Sequence, residues 1–267
     1  MPLKEFITKC HNNLVDENSE KEVVIAKEYL HSRKLLEKSV IYGNIGYCKG
    51  NETLPDAIRS FGKEFRKDED YWDLSYFIKG RIIIPVYSEF NTAVGLATRK
   101  PTHESGNTWW NLPLPFKKGN HLFLLNVAKR AMFERNKVYV VEGYMDALIL
   151  RQYGLENVVG LMGTALSLRK IGLISRYCNN VCLCLDSDAN QAGQKATETA
   201  IFNLKKFDFC ENISVIRGLP EGEDPDEYVV RNGLDALLQN EVILENSEIE
   251  KVCRKVAKQS KEMVYAQ

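Results

Sequence analysis

The chain has 267 residues, enough for one large domain or two smaller ones around a substantial buried core. Apolar residues make up 44% and charged residues 27%, the balance of an ordinary globular fold, and the formal net charge is zero. There is no run of 18 apolar residues, and no apolar core behind the N-terminal MPLKEFITKCHNN; this argues against a membrane span or a secretory leader and gives a cytoplasmic expectation with no membrane partner.

Charge is unevenly spread: the stretch up to about residue 140 carries a small basic excess, and the rest a matching acidic one. Such a split fits a template-binding surface facing a metal site, and chance as well. Residues 1–40 read as helical, because Val23, Val24, Ala26, Tyr29 and Leu30 form an apolar stripe with charges between them. Residues 41–80 are mixed, with short helices expected around Asp56–Phe65. Two β-rich runs, Arg81–Tyr87 and Ala93–Thr98, flank the turn-like SEFN and predict a hairpin. KPTHESGNTWWNLPLPFKKGN (100–120) is rich in Pro, Gly and Asn and predicts a long loop, followed by a helix near Leu124–Glu134.

From residue 137 apolar strands alternate with helices. The expected order is strand 138–141, helix 144–153, strand 158–163, helix 167–177, strand 181–186, helix 189–207 and strand 213–216, with a helical remainder from Asp226. Continuous apolar strands separated by helices predict a parallel sheet covered on both faces. The fold class is therefore α/β: a mixed α+β N-terminal subdomain over 1–135, a mainly parallel sheet flanked by helices over 136–230, and a helical tail over 231–267. The seven cysteines include no CxxC pair and lack the spaced partners of a zinc site, so they read as reduced, mostly buried thiols with no zinc predicted.

In an open parallel sheet, ligands bind beyond the carboxyl ends of the strands. Acidic residues gather there. The first strand runs into Glu142-Gly143-Tyr144-Met145-Asp146, the third into Asp186-Ser187-Asp188, and the fourth, after a loop, into Asp224-Pro225-Asp226. Carboxylates crowded together repel, and a hard divalent cation such as Mg²⁺, with Mn²⁺ as an alternative, relieves that repulsion. Asp186 and Asp188, two apart in an extended segment, point the same way. Gly143 is expected to allow a sharp backbone turn, and Gly193 a close approach of backbone or phosphate. Singly each motif has a plainer reading: EGxxD is common in loops, and Asp188 would cap a helix from Ala189. Their joint order, each at a strand end, points to a metal site.

The motifs VYVVEGYMDALIL, GLMGTALS and LCLDSDANQAGQKA together resemble the Toprim domain. EGYMD, LPEGEDPDEYVVRNG, GRIIIPV with VGLATR, and WNLPLPFKKGNHLFLLNVAK resemble the bacterial-type DNA primase core in particular, over roughly residues 20–235. The resemblance implies a nucleotidyltransferase that makes RNA primers on single-stranded DNA from ribonucleoside triphosphates by two-metal catalysis. It implies Glu142, Asp186 and Asp188 as catalytic residues, and Glu142, Asp146, Asp186, Asp188, Asp224 and Asp226 as the metal-holding set. Arg81 and Arg99 match basic positions near template and nucleotide, with Lys79 beside them. Asn111 matches a loop asparagine, and Lys117 and Lys118 match less tightly. Where the family has a KYLN-like segment, this chain has Thr108-Trp109-Trp110-Asn111 without the lysine, so either Trp109 or Trp110 stacks on a base, or one or both pack within the loop.

The family's zinc-ribbon ligands have no counterpart here, and only 41 residues follow Asp226, too few for its helicase-binding domain. A replicative helicase or a separate zinc-binding subunit is thus an expected partner, and the initial methionine and tail favour a compact viral or plasmid protein over a cut fragment. Two rivals remain at this level: a Toprim metal-dependent nuclease, and a non-catalytic Toprim scaffold that binds DNA.

Overall fold

The structure is a computed structural model, and it describes residues 2–17, 20–52, 78–102, 109–112, 117–163, 165–186 and 192–265. The short helices expected around Asp56–Phe65 lie outside the described residues. The chain forms two compact units, Met1–Lys117 and Lys118–Gln267.

The first unit opens with helices α1 (Leu3–Val15), α2 (Lys21–Ser32) and α3 (Glu37–Tyr42). A four-stranded antiparallel sheet follows in the order β1 (Gly46–Cys48), β2 (Arg81–Tyr87), β3 (Ala93–Arg99) and β4 (Trp109–Asn111). The predicted hairpin is β2–β3, registered by Ile83 opposite Thr98. The expected loop over 100–120 is interrupted by β4, which places Trp109 opposite Arg99 and Asn111 opposite Ala97. Aromatic residues suit a pleated surface, but Trp109 and Trp110 followed by an asparagine leave too short a signal to read alone. Helix α1 packs on β1 so closely that a Cβ on Gly46 would lie 2.4 Å from the Cys10 carbonyl carbon.

The second unit holds α4 (Leu125–Arg135), β5 (Lys137–Val141), α5 (Tyr144–Gln152), β6 (Val158–Gly160), α6 (Leu168–Ile174), β7 (Asn180–Leu183), α7 (Ala192–Phe207), β8 (Asn212–Ile216), α8 (Pro225–Asn232), α9 (Leu234–Leu238), β9 (Glu241–Ile243) and α10 (Asn246–Tyr265). Its sheet runs β6-β5-β7-β8-β9, parallel except for the edge strand β9. The stretch expected to be wholly helical therefore contains a strand. β9 is three residues long and sits between a five-residue helix and the long α10, below the length at which alternation is legible. One face of the sheet, through Val138, Val140, Val181, Leu183, Ile213 and Val215, packs on α4, α6, α7 and α10 in a single apolar core. Helices α5 and α8 pack on one another, outside that cluster.

Lys137, Tyr139, Cys182 and Ser214 alternate onto the other face of β5, β7 and β8. Glu241, brought in by β9, joins them: its carboxylate accepts from Lys137 Nζ at 2.6 Å, from Tyr139 OH at 2.9 Å and from Ser214 Oγ. Although partial burial alone would raise it, these donors hold the Glu241 carboxyl below its ordinary range. The group thus fixes β9 to the sheet by charge-assisted bonds rather than by apolar area. Glu241→Ala leaves three donors facing no acceptor and is expected to cost about 2–4 kcal/mol, with Glu241→Gln costing less; equilibrium urea unfolding of the two variants checks this order.

Candidate functional site

The parallel strands of the second unit point the same way, so their carboxyl ends share one edge. Glu142 and Gly143 follow β5 directly, and Asp186 follows β7 by three residues. Asp224 stands at the N-cap of α8, whose first turn holds Pro225 at its favoured position and Asp226. Asp188 lies outside the described residues, as does the start expected for its helix at Ala189.

Asp146 sits in the first turn of α5 and accepts the Gly143 N–H at 3.0 Å. Gly143 has φ −100°, so its role is not the sharp turn expected from sequence; a Cβ there would lie 2.5 Å from Asp146 Oδ2. Any side chain at 143 would therefore have to displace the Asp146 carboxylate. Gly160 works alike at the end of β6, where a Cβ would meet the Gly143 carbonyl at 2.8 Å.

Asp146 is 6% exposed and Asp226 3%, while Glu142, Asp186 and Asp224 are partly exposed. Burial pushes the Asp146 carboxyl far above the usual carboxylate range; the charges of Asp226, Asp186 and Asp224 add to it, against the Gly143 N–H. Four aspartates therefore feel one another at this edge. The oxygen-only donor set, partly buried and mutually repelling, fits a hard divalent cation such as Mg²⁺.

The turn after β6 supports Glu142 from behind. Met162 and Gly163 both have positive φ, +62° and +69°, a conformation that costs a non-glycine residue about 1–2 kcal/mol. Gly163 N–H donates to the Glu142 carbonyl at 3.0 Å. Lys170 Nζ donates to the Leu161 carbonyl at 2.8 Å, and Lys118 Nζ to that of Met162 at 3.4 Å. Lys118 arrives on a 3₁₀ turn (Lys118–Asn120) that the Ser167 hydroxyl ties to α6 through the Gly119 carbonyl. Lys170 is fully buried, and burial, with Lys118 second, lowers its ammonium to about 8. Sequence reasoning missed Lys170; the available signal was a lysine four residues before Ile174, on the apolar face of α6.

In the first unit, Arg81 and Arg99 lie close enough for Arg99 to depress the Arg81 guanidinium, after burial as the larger cause. Arg81 is buried, with Nε on Thr98 Oγ1 at 2.8 Å. The Arg99 guanidinium lies 5.1 Å from the Trp109 ring centre and 5.5 Å from that of Tyr29. Trp109 thus packs against Arg99 at cation–π distance. Lys79 and Lys117 are exposed, and Asn111 is half-buried on β4.

A family profile described as Toprim-like matches residues 139–229. The DNA primase of Clostridium acetobutylicum is 32% identical over 231 residues, 80% of this chain and 36% of that protein. The Aquifex aeolicus primase, solved as its zinc-binding and RNA polymerase domains, is 25% identical, with a TM-score of 0.70 over 99% of this chain and 68% of that one. The Escherichia coli primase catalytic core shares the fold, with a TM-score of 0.72 and 24% identity over 90% of this chain and 79% of that one. The chain spans about a third of the length of the curated relatives it matches. No helix among the described residues is long and apolar enough to cross a membrane.

Two outcomes follow from the electrostatics. A raised carboxylate value means stability present at low pH and lost as pH rises through that value, so Asp146 weighs against the metal-free fold at neutral pH. Asp146→Asn in chelator is expected to melt a few degrees above the unsubstituted chain, where about 1 kcal/mol moves the midpoint about 2–4 °C, and that lead should vanish on adding Mg²⁺; scanning fluorimetry with and without the ion reads both. For Lys170 the sign is opposite. Between its folded value of about 8 and the ordinary 10.5, the unfolded chain holds the extra proton, so stability rises with pH across that window. Relative to Lys170→Met, the unsubstituted chain should gain up to about 3 kcal/mol from pH 7 to pH 10, read from paired melts.

Proposed function

Because the chain carries a Toprim-like domain and is homologous to bacterial DNA primases over most of its length, we propose that it is a DNA primase catalytic core, which synthesises short RNA primers on single-stranded DNA from ribonucleoside triphosphates for DNA replication. The observation that carries this reading is the convergence of Asp146, Asp186, Asp224 and Asp226 at one sheet edge, in a chain whose likeness to primases runs well beyond the Toprim-like residues. A bare Toprim nuclease or scaffold would account for the acids, but not for a match spanning 231 residues.

In this reading Glu142, Asp146, Asp186, Asp188, Asp224 and Asp226 hold Mg²⁺, with Mn²⁺ as a substitute. When bound, the ion supplies charge neutralisation to the transferring phosphate and favours ionisation of the attacking hydroxyl. Catalysis falls to Glu142, Asp186 and Asp188. The primer 3′-hydroxyl attacks the α-phosphate of the incoming nucleotide, a bond to pyrophosphate breaks, and positioning and electrostatics carry most of the rate. Arg81 and Arg99 neutralise template or nucleotide phosphates, with Lys79, Lys117 and Lys118 adding charge. Trp109 and Asn111 shape the same nucleic-acid-binding region. Trp109 does so through Arg99, whose guanidinium lies 5.1 Å from its ring centre. Residues 1–135 serve template and nucleotide binding, 136–230 catalysis, and 231–267 form a tail. The protein acts in the cytoplasm, with a replicative helicase or a separate zinc-binding subunit as further partners.

Incubation with single-stranded DNA, labelled ribonucleotides and Mg²⁺ or Mn²⁺ is expected to give new oligoribonucleotides. Shortened DNA would instead indicate a nuclease, and no product a scaffold. Asp186→Ala and Asp188→Ala should each reduce primer synthesis to background while leaving circular dichroism and melting within a few degrees of the starting chain. Template-dependent incorporation by the double variant would contradict the assignment.

A further inference from the structure

The seven thiols are all free, and most are buried, as their sequence context led one to expect. Two of them are not simply apolar filling. Cys10 on α1 and Cys48 on β1 are 0% and 1% exposed, and the close approach of α1 to Gly46 brings them together. With Glu52, just beyond β1, they place three ligand atoms within 4.8 Å of one another, the one such group among the described residues. Cys48 Sγ lies 3.2 Å from Glu52 Oε2. Around a tetrahedral zinc, with bonds of about 2.3 Å to sulfur and about 2.0–2.2 Å to oxygen, a sulfur and an oxygen ligand stand roughly 3.5 Å apart.

We propose that Cys10, Cys48 and Glu52 form a zinc site in the first unit, distinct in chemistry from the aspartate cluster of the second and independent of the primase reading. The donor set is soft where the other is hard, so the two cations would sort by ligand type. Zinc binding releases the two thiol protons to solvent and joins Cys10 on α1 to Cys48 on β1, 38 positions on in sequence, and to Glu52 just beyond it, by bonds stronger than the S–H contact they replace. Glu52 is already oriented for the role. Its carboxylate accepts from Lys49 N–H at 2.9 Å, from Gly50 N–H at 2.8 Å and from the Asn13 side-chain amide, which itself reaches the Tyr47 carbonyl. Such outer donors fix a ligating carboxylate and share its charge. Three protein ligands leave one of zinc's usual four positions to be filled by another donor.

The test uses the full chain, reduced, stripped with chelator and reloaded with Zn²⁺ in excess Mg²⁺ so that the aspartates are not the sink. After gel filtration, elemental analysis should find about one zinc per chain. Replacement by Co²⁺ should give a near-ultraviolet thiolate-to-cobalt charge-transfer band, which oxygen ligands do not produce. Cys10→Ser and Cys48→Ser should lose the band, and Glu52→Gln should weaken zinc by at least about tenfold while keeping it. The cobalt spectrum of the unsubstituted chain stands even if a variant misfolds. Absence of the band, retention of no zinc, or full zinc content in a folded Cys48→Ser chain would each overturn the proposal.

Discussion

Several carboxylates are held at one edge of one sheet, closer than they would settle in water. Asp146 is the sharpest case: buried, near three further aspartates, and pushed toward its neutral form by both facts. Much of the second unit is intelligible as what this arrangement requires. Parallel strands bring their carboxyl ends to one side, Gly143 vacates the volume that Asp146 fills, and Gly160 lets the next strand close on that turn. A fold that tolerates such repulsion must find its stability elsewhere, and a cation turns the repulsion into attraction.

That stability is visible away from the aspartates. The apolar core covers one face of the sheet, and on the other the Glu241 network with Lys137, Tyr139 and Ser214 ties the antiparallel edge strand to its neighbours. Nearer the acids the support is cationic. Lys170 and Lys118 grip consecutive carbonyls of a left-handed turn whose next N–H meets Glu142. A fully buried lysine is costly, and its position behind a candidate catalytic glutamate fits the pattern in which strain and unfavourable burial collect around functional sites. The Gly163 N–H fixes the backbone of Glu142 just beyond β5.

Much of this was legible in the sequence, for physical reasons. The runs VYVV, VCLCL and ISVI are largely buried strands, apolar but for Ser214, and the acids after them needed only the strand-end rule to be placed together. The hairpin Arg81–Tyr87 and Ala93–Arg99 was equally plain. What escaped were features set by tertiary contact. β4 and β9 are three residues each, and partners rather than periodicity make them strands. The need for Gly143 lies in the volume of another side chain, not in its own φ. Lys170 looked like one more polar residue on a helix, and Cys10 and Cys48 are joined only by the packing of α1 on β1.

The central claim is that the strand-end carboxylates exist to hold a divalent cation. Manganese soaked into crystals of the chain, located by its anomalous scattering, tests it directly. A peak within bonding distance of Asp186 and Glu142, lost in crystals of Asp186→Asn, is the result predicted. A peak confined to other parts of the chain, or none at saturating manganese, would contradict it.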